Sequence, residues 1–233
     1  SPSEGRSVAG NRALAEARGE WFCFLDDDDV LFADHVEVLL QTVREQNLKG
    51  AYALAWRTMT RVLDSNLASY EELSWDRFPD EAFSRVALWH HNFMPIQAVL
   101  FHRSLFEKYG GFAVDMDQLE DWNLWTRYTI ESDFVQVRKT TSKYRVPAET
   151  THNADRQAKL DAAYSDAIRR QSDMTFSADP TLVRKLAEDY VRSNALIHVG
   201  RDQVRARFSS WPALARIASL RHVLRRRLSR SNR

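Results

Sequence analysis

"GNRALAEARGEWFCFLDDDDVLFADHVEVLL" (residues 10–40) sets an apolar run against four consecutive aspartates, with a helix pattern on either side. Residues 10–20 are rich in Ala, Leu, Glu and Arg, which lose little freedom in a helix, and Gly19 supplies a stop. The run from Trp21 to Leu25 has strand length and strand residues with little alternation, the pattern of a strand covered on both faces. From Asp34 the chain reads as a helix: Asp34 stands at the cap, Glu37 has capping-box spacing, and Val36, Leu39, Leu40 and Val43 share a face. Helix, buried strand and helix in succession predict an α/β fold. The acids then lie at a strand's carboxyl end, where open α/β sheets bind ligands.

Four adjacent carboxylates raise one another's pKa and destabilise the segment unless a cation or many donors sit beside them. A hard divalent ion suits them, because Mg²⁺ or Mn²⁺ takes oxygen ligands from one or two carboxylates plus substrate phosphates and water. On an extended chain Asp26 and Asp28 share one face, and Asp27 and Asp29 the other. The alternative is a solvated turn in which Asp29 helps to cap the segment after it.

Outward from this stretch, "AYALAW" (51–56), "IQAVLF" (96–101), "DFVQV" (133–137) and "KYRV" (143–146) read as strands. "SLFEKYGG" reads as a short helix closed by Gly110 and Gly111, and "EDWNLWTRYTI" (120–130) as a helix with Trp122, Trp125 and Ile130 on one face. Beyond about residue 150 only helices are predicted, one of them opening at Asp179 and Pro180. The expected organisation is therefore an α/β domain over 1–150 and a helical extension over 151–233.

With 233 residues, 44% of them hydrophobic, the chain can bury a sizeable core. Its net charge of +1 hides a basic tail, with Arg225, Arg226 and Arg227 adjacent and Asp202 the only acid from residue 201 onward. In that tail Phe208, Trp211, Leu214, Ile217, Leu220, Val223, Leu224 and Leu228 alternate with arginines as a basic amphipathic segment. It suits a membrane surface or a protein partner, and no nucleic-acid-binding module accompanies it. Cys23 is the single cysteine, so no intrachain disulfide forms and a reducing, cytoplasmic setting is expected, extending to the cytoplasmic membrane face through the tail. No apolar run is long enough to cross a bilayer.

Residues 10–40 resemble the middle of a family 2 glycosyltransferase of the GT-A fold, in which a helix ending at Gly leads to a strand and an Asp-x-Asp motif. "VLFHRSLFEKYGGFAVDMDQLEDWNLWTRY" (99–128) is similar to the same family's acceptor-side segment, with a Gly-Gly-Phe turn and a Glu-Asp-Trp motif. Together with "SKYRV" the two blocks cover roughly residues 5–146. The resemblance implies a partial GT-A, Rossmann-like mixed sheet flanked by helices, with only 25 residues ahead of the acids, too few for the family's opening nucleotide-binding strands.

It also implies an inverting, metal-dependent transfer of a sugar from a nucleoside diphosphate sugar to a hydroxyl of a glycan or lipid-linked acceptor, in polysaccharide biosynthesis of the cell envelope. Asp26 and Asp28 would hold Mn²⁺ or Mg²⁺, with Asp27 beside them on the donor, and Asp121 would act as general base with Glu120 as its neighbour. Asn11 and Arg12 fall near the family's nucleotide, while Tyr144, Arg145 and His152, the last in a loop, fall where cations meet the diphosphate.

Each of these residues also has a plainer reading. Glu120 and Asp121 begin a helix and would favour its N-terminus in any protein. Trp122 and Trp125 at helical spacing suit the core as well as a sugar ring. His90 and His91, on an extended segment, would point opposite ways and share no metal. Cys23 lies between aromatics as packing. A second function therefore stands beside the first: a non-catalytic remnant that docks on a membrane or on a partner supplying the missing half. An Asp-based phosphotransferase would want a Lys or Ser/Thr motif, and none accompanies the acids.

Overall fold

A computed structural model describes residues 5–63, 69–78, 80–116, 118–148 and 150–191, without side chains for 150–158. The expectations for the arginine-rich tail lie outside the described residues. In chain order the elements are α1 (Arg6–Glu16), β1 (Trp21–Phe22), β2 (Val30–Leu31), α2 (His35–Gln46), β3 (Gly50–Val62), β4 (Tyr70–Phe78), α3 (Arg85–His90), β5 (Val99–His102), α4 (Arg103–Tyr109), α5 (Glu120–Tyr128), β6 (Val135–Pro147) and α6 (Thr150–Ser172). A mixed sheet runs β1-β5-β3-β6-β2, and β4 extends it beside the far half of β3. β3 and β6 are parallel; β3 pairs antiparallel with β5 and β4, and so do β1 with β5 and β2 with β6.

The period of two in β3 and β5 builds the layers. Ala51, Ala53 and Leu100 face Leu39 and Val43 of α2, while Tyr52, Val99 and Phe101 face the opposite cluster. That cluster is mostly aromatic, with Phe22, Phe93, Phe112, Trp122, Trp125, Tyr128 and Phe134 buried beside Leu14 of α1, Leu105 of α4 and Ala167 of α6. Each such large side chain contributes about 1.5–3 kcal/mol by leaving water, so the α5 side carries most of the packing energy.

Several expectations change. α1 begins at Arg6 and ends at Glu16, short of Gly19, because Arg103 binds the carbonyls of Ala17 and Gly19 (2.5 and 2.8 Å) and draws this stretch out of the helix. The strand expected over Trp21–Leu25 shrinks to two residues at the sheet's edge, and Leu25 is exposed. α2 forms as expected, yet Asp34 makes no capping bond: its carboxylate pairs with Lys139, and Val36 faces water. The strand expected over 96–101 begins as a 3-10 turn (Ile96–Ala98). The two strands expected over 133–146 are one bulged strand.

β4 has no forecast, since "YEELSWDRF" alternates weakly and is mostly exposed. The division expected at residue 150 falls after Ala178, because α6 packs into the first unit: Ala167 is buried there, Tyr164 stacks on Trp122 at 5.3 Å, and Arg170 pairs with Asp115 at 2.7 Å. In the second unit a helix over 180–191 opens as expected, with Leu182 N–H donating to Asp179 Oδ1 at 2.8 Å. No helix among the described residues is long and apolar enough to cross a membrane.

Candidate active site

The aspartates occupy a turn, not a strand end: Asp29 N–H donates to Asp26 C=O at 3.2 Å, and the chain rejoins the sheet at β2. A turn changes which acids meet. Asp26, Asp28 and Asp29 each bring a carboxylate oxygen within 4.8 Å of the others, and Asp27 stays out of the group and exposed. The face-sharing expected of an extended chain therefore gives way to a three-carboxylate cluster that includes Asp29. Burial and repulsion from Asp28 push the Asp29 carboxyl up to about 7, while Arg145 N–H donates to its Oδ1 at 3.3 Å. The donor set, all carboxylate oxygen, fits a hard divalent cation, whose charge would relieve that repulsion.

Across an open cleft of about 740 Å³ lie Glu120 and Asp121, the first two residues of α5. Their position comes from how α5 is tied down. Trp122 Nε1 donates to Leu88 C=O (2.5 Å) and Trp125 Nε1 to Met94 C=O (3.0 Å), both buried. Arg127 donates to the carbonyls of Tyr109 and Gly111, each at 2.5 Å. The Gly-Gly-Phe turn reaches back to α1, because Asn11 bonds both Phe112 C=O (2.9 Å) and Phe112 N–H (2.7 Å). Only glycine serves at position 111, where a Cβ would collide with Asn11 Oδ1. α1 is thus fixed against α5, which brings Arg6 between the two acidic groups: 2.9 Å from Asp26 and 3.3 Å from Glu120.

Glu120 is buried, and desolvation followed by repulsion from Asp121 pushes its carboxyl up to about 7. Asp121 is also pushed up by burial, against two donors: Trp122 N–H to Oδ1 at 2.7 Å and Asn92 Nδ2 to Oδ2 at 3.0 Å. Tyr144 and Arg145 of β6, Phe78 of β4 and Lys159 of α6 complete the walls. Arg145 also lies over the Tyr70 ring at 3.7 Å.

Of the residues predicted from sequence, Asp26, Asp28, Glu120, Asp121 and Arg145 meet in this cleft. Asn11 does not line it, since both ends of its amide hold Phe112. His152 stands in α6, not in a loop, and its side chain is outside the described residues. Trp122 and Trp125 are core residues, 1% and 0% exposed, with no face for a sugar. His90 is the last residue of α3, so only His91, its extended C-cap, fits the expected segment; their rings lie 5.7 Å apart, and His91 Nε2 meets Glu81 at 2.8 Å. Cys23 packs beside the α2 cluster, and burial pushes its thiol up, away from reactivity. Sequence reading missed Arg6 and Asn92. The one signal for Arg6 was its seat after Gly5; Asn92, in "HHNFMP", carried none.

The profile of Glycosyltransferase like family 2 matches residues 3–195. No curated protein matches the chain. Solved structures that resemble it include S. aureus TarS 1-349 (13% identity, 60% of this chain and 40% of that one, TM-score 0.47). A longer TarS structure matches at 14% identity over 62% of this chain and 25% of that one, TM-score 0.47. TarS 1-349 in complex with UDP matches at 12% identity over 69% of this chain and 45% of that one, TM-score 0.45. The chain thus spans under half the length of those proteins. With its profile match running from before α1 to beyond α6, the chain belongs to the family 2-like glycosyltransferases.

Proposed function

We propose that the cleft transfers a sugar, with inversion, from a nucleoside diphosphate sugar to an acceptor hydroxyl. One observation carries this reading: a three-carboxylate cluster and a separately held carboxylate, Asp121, line the same open cleft. Asp26, Asp28 and Asp29 would hold Mn²⁺ or Mg²⁺. The ion would supply positive charge to the diphosphate as it leaves. Arg145, lining the same wall, adds donors suited to phosphate oxygens.

Asp121 accepts the proton of the acceptor hydroxyl as that oxygen attacks the anomeric carbon on the face opposite the leaving diphosphate. The carbon–oxygen bond to the diphosphate breaks, and the configuration inverts. Burial suits Asp121 to this task, because it strengthens a carboxylate as a base, while two N–H donors act against that rise and favour the charged form. Glu120, raised toward neutrality and paired with Arg6, is a neighbour that sets the local charge. The acceptor is a hydroxyl of a glycan or lipid-linked sugar. The test is nucleotide release from a panel of UDP- and GDP-sugars in Mn²⁺, with EDTA as control. Release that needs the ion and a carbohydrate acceptor supports the reading; release indifferent to EDTA contradicts it.

A further inference from the structure

We propose that Asn92 is the positioning residue that holds Asp121 as an ionised acceptor, an inference that rests on the reading of Asp121 as general base. The hydrogen bonds decide its orientation. Met94 N–H donates to Asn92 Oδ1 at 3.1 Å, and a backbone N–H can meet only the oxygen end of the amide. The NH₂ end is thereby left facing Asp121 Oδ2, at 3.0 Å. A side chain with its acceptor already engaged can offer this carboxylate only a donor, and a donor favours the charged form. Trp122 N–H takes the other oxygen, at 2.7 Å. Each carboxylate oxygen so keeps a lone pair for an incoming hydroxyl proton.

The two buried tryptophans acquire a purpose in this arrangement. Their indole N–H groups bind the carbonyls of Leu88 and Met94, on either side of Asn92 in sequence. They strap the connecting segment to α5 and fix the distance between Asn92 and Asp121. The Asp-Trp-x-x-Trp pattern and a distant Asn therefore form one device: the helix carries the base, and its core face anchors the residue that orients it. The charged and titratable groups around Asp121 are Glu120 on the same helix and Arg6 from α1, with Asp26, Asp28 and Asp29 of the acid turn, Tyr144 and Arg145 of β6 and Lys159 of α6 along the cleft. His91, next to Asn92, is turned to Glu81.

The test is a pH titration of the full chain carrying ¹³Cγ-labelled aspartate, with Asp121 assigned by its absence in Asp121→Asn. In Asn92→Ala and in the near-isosteric, uncharged Asn92→Leu, the Asp121 midpoint moves up by about 1 to 2 pH units, the worth of one donor to a charged group. In Trp125→Phe, which loses an indole N–H but leaves Asn92 in place, stability falls with a smaller shift than in either. A midpoint that stays put in both folded Asn92 variants overturns the proposal and leaves the base reading standing. Sugar transfer that survives Asp121→Asn overturns the base reading instead, whatever the titration shows.

Discussion

The acid turn and the start of α5 bring carboxylates to one cleft by opposite means. Asp26 to Asp29 sit on a short turn beside the edge of the sheet, crowded by like charge and partly open to water. Glu120 and Asp121 sit on a helix whose next residues are buried in the aromatic cluster. The first arrangement crowds like charge that a cation would relieve; the second is held by its packing. Metal or solution conditions should therefore act on the turn, and core substitutions on the base.

The largest effect falls on chemistry. With Asp121 as the proposed proton acceptor, Asp121→Asn is expected to lower turnover by about 10²–10⁴-fold. Binding of nucleotide with Mn²⁺ is unchanged, because the turn is untouched; loss of that binding would mean that the two regions are one site. Next comes stability. Trp122→Ala empties a fully buried position and costs about 3–5 kcal/mol in denaturant unfolding. Asp27→Asn, exposed and outside the cluster, stays near zero in the same assay.

Proton linkage separates the regions at smaller scale. Asp29, pushed up to about 7, is largely protonated at pH 6, and a divalent ion would require the ionised form. Mn²⁺ binding at pH 6 therefore releases protons, tightens as pH rises through 7, and releases fewer at pH 8, as calorimetry in buffers of different ionisation enthalpy will read. For Glu120 the folded pKa, about 7, lies above the ordinary glutamate value, so the folded state holds the proton more tightly than the unfolded chain. Stability is accordingly lost as pH rises from the ordinary glutamate range to about 7. Asp29 and Asp121, raised as well, add to the same loss, so Glu120→Gln, with no proton to lose, makes this slope shallower without abolishing it; an unchanged slope would place its origin in the other two.

The two regions were also unequally legible in the sequence. The helix of α5 came from periodicity and the end of α4 from a Gly-Gly stop, because local pattern and buried face agree there, while the role of Glu120 and Asp121 came only with the family resemblance. The acids were legible as a charge problem, yet their grouping was not: a turn, unlike a strand, adds Asp29 to the set and leaves Asp27 out. The strand before them is short because β5, beside which it lies at the sheet's edge, pairs with it for only two residues. Arg6 and Asn92 were invisible for a similar reason. Their meaning lies in partners 20, 29 and more residues away, which only packing brings near.

The most direct measurement is calorimetric titration of the chain with UDP and with GDP in Mn²⁺, beside an Asp26→Ala, Asp28→Ala double variant. A working acid turn predicts binding of at least one nucleotide that requires Mn²⁺ and is lost in the double variant while its fold, read by circular dichroism, is kept. Nucleotide binding that persists in the double variant, or that ignores the ion, would contradict a metal-held donor at the turn.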